Sequence, residues 1–253
     1  FFGVDMGSPE LKYSDVKGKN PFADAKVREA MNKAIDVNAI KAKVMRGFSA
    51  PAGIITPAAV HGWTKELDAR GAYDLAAAKK LMADAGYGAG VELKRNCPND
   101  RYVNDGEICQ AVAANLSRIG VKINLEAETK GTYFPKILRR DTSFYMLGWT
   151  PSTVDAHNVL YPILSTPGEG GRGQFNLGAY SNARVDQLTD LVASETDDKK
   201  RNEMIREALK IHQDDVGHLP LHQQALNWAA KKNIDMVQWP DNGMPWKYVK
   251  VNK

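Results

Sequence analysis

Residues 91 to 150 read VELKRNCPNDRYVNDGEICQAVAANLSRIGVKINLEAETKGTYFPKILRRDTSFYMLGWT, and the hydrophobic period in them switches back and forth between that of a strand and that of a helix. Val91 to Arg95 alternates as a strand, and Asn104 to Ile119 puts Ile108, Val112, Leu116 and Ile119 on one helical stripe that Gly120 ends. Val121 to Glu126 alternates again. Tyr133 to Arg139 is a short helix with Phe134, Ile137 and Leu138 inward, and Phe144 to Trp149 is a strand apolar on both faces. Strand, helix, strand, helix, strand with crossovers of this length is most economically a parallel sheet with right-handed connections, flanked by helices: an α/β fold with a βαβαβ core. Ligands of such sheets gather outside the carboxyl ends of the strands. Here those ends are Asn96 to Asp100, Thr129 to Gly131 and Trp149 to Ser152.

Both flanks are mainly helical. Asp24 is placed to cap a helix running to about Ile35 with Val27, Met31, Ala34 and Ile35 on one face, and Asn38 or Asp36 restarts a short one that stops at Gly47. Pro51, Gly53, Pro57 and Gly62 punctuate a loop. Asp74 caps a second helix with Ala77, Ala78, Leu81, Met82 and Ala85 inward and Gly86 as its stop. On the other side, Asn182 precedes Val185, Leu188, Leu191 and Val192, and Asp197 precedes Met204, Ile205, Ala208, Leu209 and Ile211. Leu219 to Ala229 reads as extended, and Trp239-Pro240 to Val251 as a loop followed by an edge strand.

The 253 residues are 43% hydrophobic and 25% charged, which excludes a disordered or collagen-like chain and suffices to bury a core without metals or cross-links. Lys and Arg outnumber Asp and Glu by 34 to 30, and the small surplus is scattered, so a nucleic-acid partner is not expected. Apolar runs such as Ala50 to Ile55 fall far short of the roughly 18 residues a membrane helix needs. The sequence opens at Phe1-Phe2-Gly3-Val4-Asp5 without Met, a basic leader or a signal core, which makes a processed product or an excised piece the expectation.

Several chemical motifs are spelled but lack their context. His218 and His222 stand four apart as in helical zinc sites, yet Pro220 lies between them and no Glu adjoins, so two polar positions on a half-buried strand are expected and no metal. Gly168-Glu169-Gly170-Gly171-Arg172-Gly173 satisfies a dinucleotide-turn spelling, but Pro162 and Pro167 precede it and no helix follows directly, so a mobile loop is the reading and no cofactor is implied. Asn115-Leu116-Ser117 fits a glycosylation sequon in mid-helix. With no nucleophile elbow, no P-loop and no Cys beside a base, no catalytic residue is assigned.

Cys97 and Cys109 are the two cysteines, one at the end of the first parallel strand and one near the first turns of the following helix. A strand end and the start of its own crossover can approach within the roughly 5.5–6 Å Cα spacing of a disulfide. Two buried thiols are the alternative.

Several ordered segments resemble one family. Asn20-Pro21-Phe22-Ala23-Asp24 through Val27-Arg28, Ala30, Asn32 and Ala34-Ile35-Asp36 is similar to its opening helix motif, and Tyr73-Asp74 to Gly86-Tyr87 and Leu116 to Lys122 match further on. Gly148-Trp149-Thr150 followed by Asp155, and Tyr180-Ser181-Asn182, complete the series. The family is that of the extracytoplasmic solute-binding proteins of family 5, the peptide, dipeptide and nickel receptors of bacterial ABC importers. The resemblance implies a type II periplasmic-binding-protein lobe: residues 1–253 as a single carboxyl-terminal ligand-binding lobe, with 1–7 and 236–253 as crossover segments to an amino-terminal lobe. It implies periplasmic localisation, an oxidising setting that favours the Cys97–Cys109 bridge, a small-molecule or peptide solute, and a membrane permease as partner.

On that resemblance the strand-end loops form the binding cleft. Trp149 stacks against ligand, Thr150 and Ser152 hydrogen-bond it, Asn99 and Arg101 line the rim, and Arg172, Phe175 and Asn176 close over it. Peptide-binding members carry an acid three positions after the Gly-Trp strand end to pair with the ligand's ammonium. Ser152 stands there, and Asp155 matches a second family acid. Two rivals use the same strand ends: an α/β hydrolase, and a sensing or chaperone module without transport.

Overall fold

A computed structural model describes residues 1–239 and 241–253, with Arg95 described by its backbone alone. β1 (Phe2–Val4) enters the core directly, with Phe2 and Val4 buried. α1 (Ala25–Ala34) starts where Asp24 Oδ1 accepts the Lys26 N–H at 2.8 Å, and it buries Val27, Ala30, Met31 and Ala34. The Asp36-capped turn Val37–Ala39 widens into a π-turn over Ile40–Val44 before β2 (Ser49–Pro51). α2 (Leu75–Asp84), capped by Asp74 through the Ala77 N–H, packs on α1 and ends at Gly86, whose φ of +81° suits glycine.

β3 (Val91–Pro98) and β4 (Val121–Glu128) pair in parallel along their whole length, from Val91 opposite Val121 to Pro98 opposite Glu128. α3 (Asp105–Ser117) crosses between them and buries Ile108, Cys109, Val112 and Leu116. β3 and β4 run on to Pro98 and Glu128, past the expected Arg95 and Glu126, the strand from Phe144 stops at Met146, short of the expected Trp149, and the helix before that strand and the partner it takes also differ from the sequence reading. α4 (Lys130–Leu138) begins three residues earlier than expected; Ile137 is buried as expected, but Tyr133 is buried with it, Phe134 is half-buried and Leu138 is 47% exposed. β5 (Phe144–Met146) lies against β3, but its ladder is antiparallel to β1, with Phe2 opposite Met146 and Val4 opposite Phe144. A strand apolar on both faces is satisfied by either direction of pairing, so its sequence does not select the partner. Gly3 is required at this crossing, since a Cβ there would lie 2.1 Å from Tyr145 Cζ.

The rear half carries α5 (Ala183–Ser194) and α6 (Asp198–Asp214), capped by Asn182 and Asp197 and packed on each other. Phe2 bridges Leu219, after which β6 (His222–Gln224) pairs antiparallel with β2. β7 (Ile234–Asp235) and β8 (Lys250–Val251) form a small hairpin. Of the expected Trp239-Pro240 loop, Pro240 lies outside the described residues. The Gly168–Gly173 segment follows a π-turn (Leu160–Leu164) and is followed by turns, with neither strand before it nor helix directly after.

Three apolar clusters make up the interior. One surrounds α1, α2, β3 and α3; one surrounds α5 and α6; a small third, Tyr133, Ile137, Tyr145, Leu147 and Leu177, lies beside β5. Phe1 and Phe175 pack against both the second and the third.

Candidate ligand-binding site

A cleft of about 740 Å³ opens where the three clusters meet: Ile108 and Met146 reach it from the first, Ile54 and Ile55 from the second and Leu147 from the third. Its walls are the loops after β3 (Arg101, Tyr102, Val103) and β5 (Gly148 to Pro151), the loop after β2, and β6 with its approach (Pro220 to Gln224). The end of β4 does not contribute. There the Asn99 N–H donates to the Glu128 carbonyl at 3.0 Å and the Lys130 N–H to Asp100 Oδ1 at 2.6 Å, so the two loops are tied to each other.

Local chemistry fixes the loop after β3. Cys97 and Cys109 are joined by a disulfide, with Cα atoms 6.5 Å apart. Buried Asp105 accepts the Arg101 and Tyr102 N–H groups, both at 2.9 Å, on one carboxylate oxygen and the Gly106 N–H on the other. Asn104 enters α3 in the left-handed region at φ +56°, which Asn tolerates, and its Nδ2 donates to the Val44 carbonyl. Tyr102 then spans to the neighbouring wall: its hydroxyl accepts the Gly148 N–H at 2.8 Å, and a Cβ on Gly148 would come within 2.6 Å of its ring. The opposite wall is held from beneath. Asp68 accepts the Gly53, Ile54 and Trp63 Nε1 hydrogens, and Gln213 donates to the Gly53 and Leu67 carbonyls.

Of the residues nominated from sequence, Arg101, Trp149, Thr150 and Phe175 line the cleft. Trp149 packs on Phe175 with ring centroids 5.0 Å apart, and its Nε1 donates to Asn158 Oδ1 at 3.1 Å. The other five are placed elsewhere. Asn99 sits exposed in the tie to β4. Ser152 is exposed and exchanges hydrogen bonds with Asn158, the hub that also holds Trp149. Asp155 is a clamp: its two oxygens take Arg201 Nη1 at 2.6 Å and Nη2 at 2.9 Å, and it accepts the His157 N–H at 2.8 Å. Burial pushes the Asp155 carboxyl up, but the Arg201 guanidinium and the His157 N–H outweigh that and hold it below the usual carboxylate range. Arg172 turns to α5, pairing with Asp186 at 3.2 Å and Asp190 at 2.5 Å. Asn176 is fully buried, donating to the Ser165 and Tyr180 carbonyls and accepting the Tyr180 N–H.

Tyr102, Phe134, His222 and Gln223 line the cleft without having been singled out for it. Tyr102 could have been found from its place at a strand end. His222 stands on β6, and its imidazole is pushed down to about 4, chiefly by burial, so it is neutral at pH 7. His218 is not its neighbour in function: it is buried, with Nδ1 2.9 Å from His212 Nε2. Among the described residues no group of three or more His, Cys, Asp and Glu is disposed to hold a metal ion, and no helix is long and apolar enough to cross a membrane.

Comparison with known proteins sets this geometry in a lineage. The profile of the bacterial extracellular solute-binding proteins, family 5, middle portion, matches residues 4–171. Heme-binding protein A of Haemophilus influenzae is 26% identical over 211 residues, 80% of this chain and 37% of its own length. Glutathione-binding protein GsiB of Escherichia coli K12 is 24% identical over 253 residues, 96% of this chain and 48% of its own length. Among solved structures, the Helicobacter pylori periplasmic binding protein DppA in complex with the peptide STSA superposes with a TM-score of 0.83 at 20% identity, covering 100% of this chain and 46% of that one. The chain therefore spans less than half the length of these relatives. Its fold is that of the type II periplasmic binding proteins, α/β with a parallel pair at its centre. The chain belongs to the bacterial extracellular solute-binding proteins of family 5.

Proposed function

We propose that this chain is the carboxyl-terminal lobe of the solute receptor of a bacterial ABC importer, working in the periplasm. The carrying observation is the cleft itself: a cavity of about 740 Å³ with apolar and aromatic walls and a few convergent polar groups, open on one side, in a chain about half the length of its relatives. That volume lies in the range of small-molecule sites. In this reading a second lobe supplies the facing wall, hinge closure encloses the solute, and the closed form docks on a membrane permease. Residues 1–7 and 236–253 are the segments that connect to it.

Ligand contact is assigned to Trp149, Thr150, Arg101 and Phe175, all of which line the cleft. The role is binding and not catalysis. Among the described lining residues there is no carboxylate and no cysteine, and the Tyr102 hydroxyl is committed to the Gly148 N–H. The relatives' printed names point to peptides, glutathione and heme, so the solute is small and organic.

The test is to purify the full-length protein, denature it, identify the released solute by mass spectrometry and titrate it back calorimetrically. One solute per protein, unchanged after prolonged incubation, is expected. Chemical conversion of the recovered solute would return the hydrolase reading.

A further inference from the structure

β4 is an edge strand. It pairs with β3 in parallel from Val121 to Glu128 without a bulge, and among the described residues no other strand pairs with it. The bonds at the two ends of that ladder fix which backbone groups face outward: the Val91 N–H donates to the Gly120 carbonyl and the Asn99 N–H to the Glu128 carbonyl, both at 3.0 Å. In a parallel ladder every second residue turns its N–H and C=O toward the partner, so Lys122, Asn124 and Glu126 serve β3 as Gly120 and Glu128 do. Val121, Ile123, Leu125 and Ala127 therefore present theirs along the free edge. An edge of eight residues with no proline, glycine or bulge is a template for another strand.

The side chains say which strand fits. In an antiparallel copy of β4 centred on Asn124, the outward-facing residues oppose one another, Ile123 against Leu125 and Val121 against Ala127 of the second copy. Lys122 then faces the second copy's Glu126, twice by symmetry, and Asn124 faces itself across the axis. Glu92 already pairs with Lys122 at 2.8 Å and accepts the Asn124 Nδ2–H at 2.6 Å, so charge alternates across the row from Glu92 through Lys122 to the second copy's Glu126. Other centres lose this match. Centring on Ile123 opposes Lys122 to Asn124; centring on Leu125 opposes Asn124 to Glu126 and Lys122 to Glu128, which is less exposed than Glu126 and is held by Lys136 and Asn96. The apolar face agrees with the Asn124 centre: Ile123 and Leu125 are half-buried at the rim of the first cluster, and there each covers the other's counterpart.

We propose that β4 pairs with β4 of a second copy of this chain, antiparallel about a twofold axis at Asn124, so that one sheet runs through a dimer. The occupant of the edge is a second copy because the strand complements itself in charge, in its central amide and in its aliphatic pair, a match that an unrelated strand has no reason to carry. No residue of β4 lines the cleft, so the pairing makes no demand on the solute. One strand pair is a small interface, and the dimer is accordingly weak and dependent on concentration.

The experiment uses the full-length protein. Sedimentation equilibrium from micromolar to millimolar concentration shows a monomer and dimer in exchange. Lys122→Glu or Glu126→Lys alone raises the dissociation constant about 10-fold, because like charges then oppose each other at both symmetric positions, and the double exchange restores it. The register is read by cross-linking. Asn124→Cys forms a disulfide-linked dimer on mild oxidation, since Cβ atoms directly opposite across such a pair lie about 4.5–5.5 Å apart, whereas Lys122→Cys, which faces Glu126 and not itself, does not. Cys97 and Cys109 are already joined to each other and do not compete. A monomer at every concentration, whether the edge stays open or the second lobe covers it, overturns the pairing. So does a dimer that Asn124→Cys fails to link or that the charge variants leave unchanged.

Discussion

His212 and His218 face each other in the interior, Nε2 to Nδ1 at 2.9 Å, with the Tyr180 ring edge-on to the first and the Phe1 ring edge-on to the second. Burial pushes both imidazoles down, His212 to about 4. Asp215 opposes the shift at His212, but it is already held by the Tyr180 hydroxyl and Asn182 Nδ2, while Arg28 reinforces it. A folded-state value below the unfolded value of about 6.5 means that the unfolded chain binds more protons in between. The contribution of this pair to stability is therefore present in full above the unfolded value of about 6.5 and is lost as the pH falls toward 4. His212 alone accounts for a loss on the order of 2 kcal/mol between pH 6.5 and 5. Urea unfolding across that window should show a positive slope with pH that shrinks in His212→Gln, and equal slopes would refute it. Spacing pairs His218 with His222 and not with His212, because the His212 contact is made by the return of the chain after α6 and not by any local period. Helix caps were legible at Asp24, Asp74, Asn182 and Asp197 because capping is local chemistry. The motif around Asn20 and Arg28 proves to be scaffolding: Asn20 caps the Phe22 N–H and holds the Asp5 and Ser8 carbonyls, while Arg28 donates to Phe22, Ala23, Asp215 and Val216 carbonyls.

At the scale of elements, β3, α3 and β4 act as one unit, and the disulfide closes it between the end of β3 and the first turns of α3. Reduction, or the double change Cys97→Ser with Cys109→Ser, should cost about 2–3 kcal/mol for a loop of this size. It should also release the loop that carries Arg101 and Tyr102, so that the Gly148 amide, donor to the Tyr102 hydroxyl, exchanges its hydrogen faster. Urea midpoints and hydrogen exchange in both redox states check this; unaltered exchange at Gly148 would uncouple the bridge from the cleft. The strands and helices here were legible because each carries its own period. What was not legible is which strand β5 would join, since Phe144, Tyr145 and Met146 are buried alike and offer no exposed face to fix the pairing. For the same reason the site was found only in part. Strand ends gave Arg101, Trp149 and Thr150, whereas Asp155 and Arg172 are consumed by Arg201 and by α5, partners 46 and 14 to 18 residues away that no local pattern announces.

Over the whole molecule the apolar surface is distributed unevenly. Of five tryptophans, Trp63 and Trp149 pack against the second cluster, while Trp228, Trp239 and Trp246 are 38%, 43% and 75% exposed on the last segment, together with Tyr248 and Val251. The same segment touches the cleft through Leu226 and Asn242, and its hairpin pairs β7 only with β8 among the described residues. Aromatic groups at such density in a short stretch mark a contact surface. In the receptor reading they lie against the second lobe, beside the open side of the cleft. Acrylamide quenching separates the possibilities: in the full-length protein these three tryptophans should be shielded, leaving a smaller quenching constant and a blue-shifted emission than in the 253-residue chain alone. Trp246→Phe should remove the largest part of that difference, because Trp246 is the most exposed of the five and a group at the surface of one lobe changes environment most when another covers it. Identical quenching in the two proteins would place the second lobe elsewhere, and with it the wall that this cleft requires to enclose a solute.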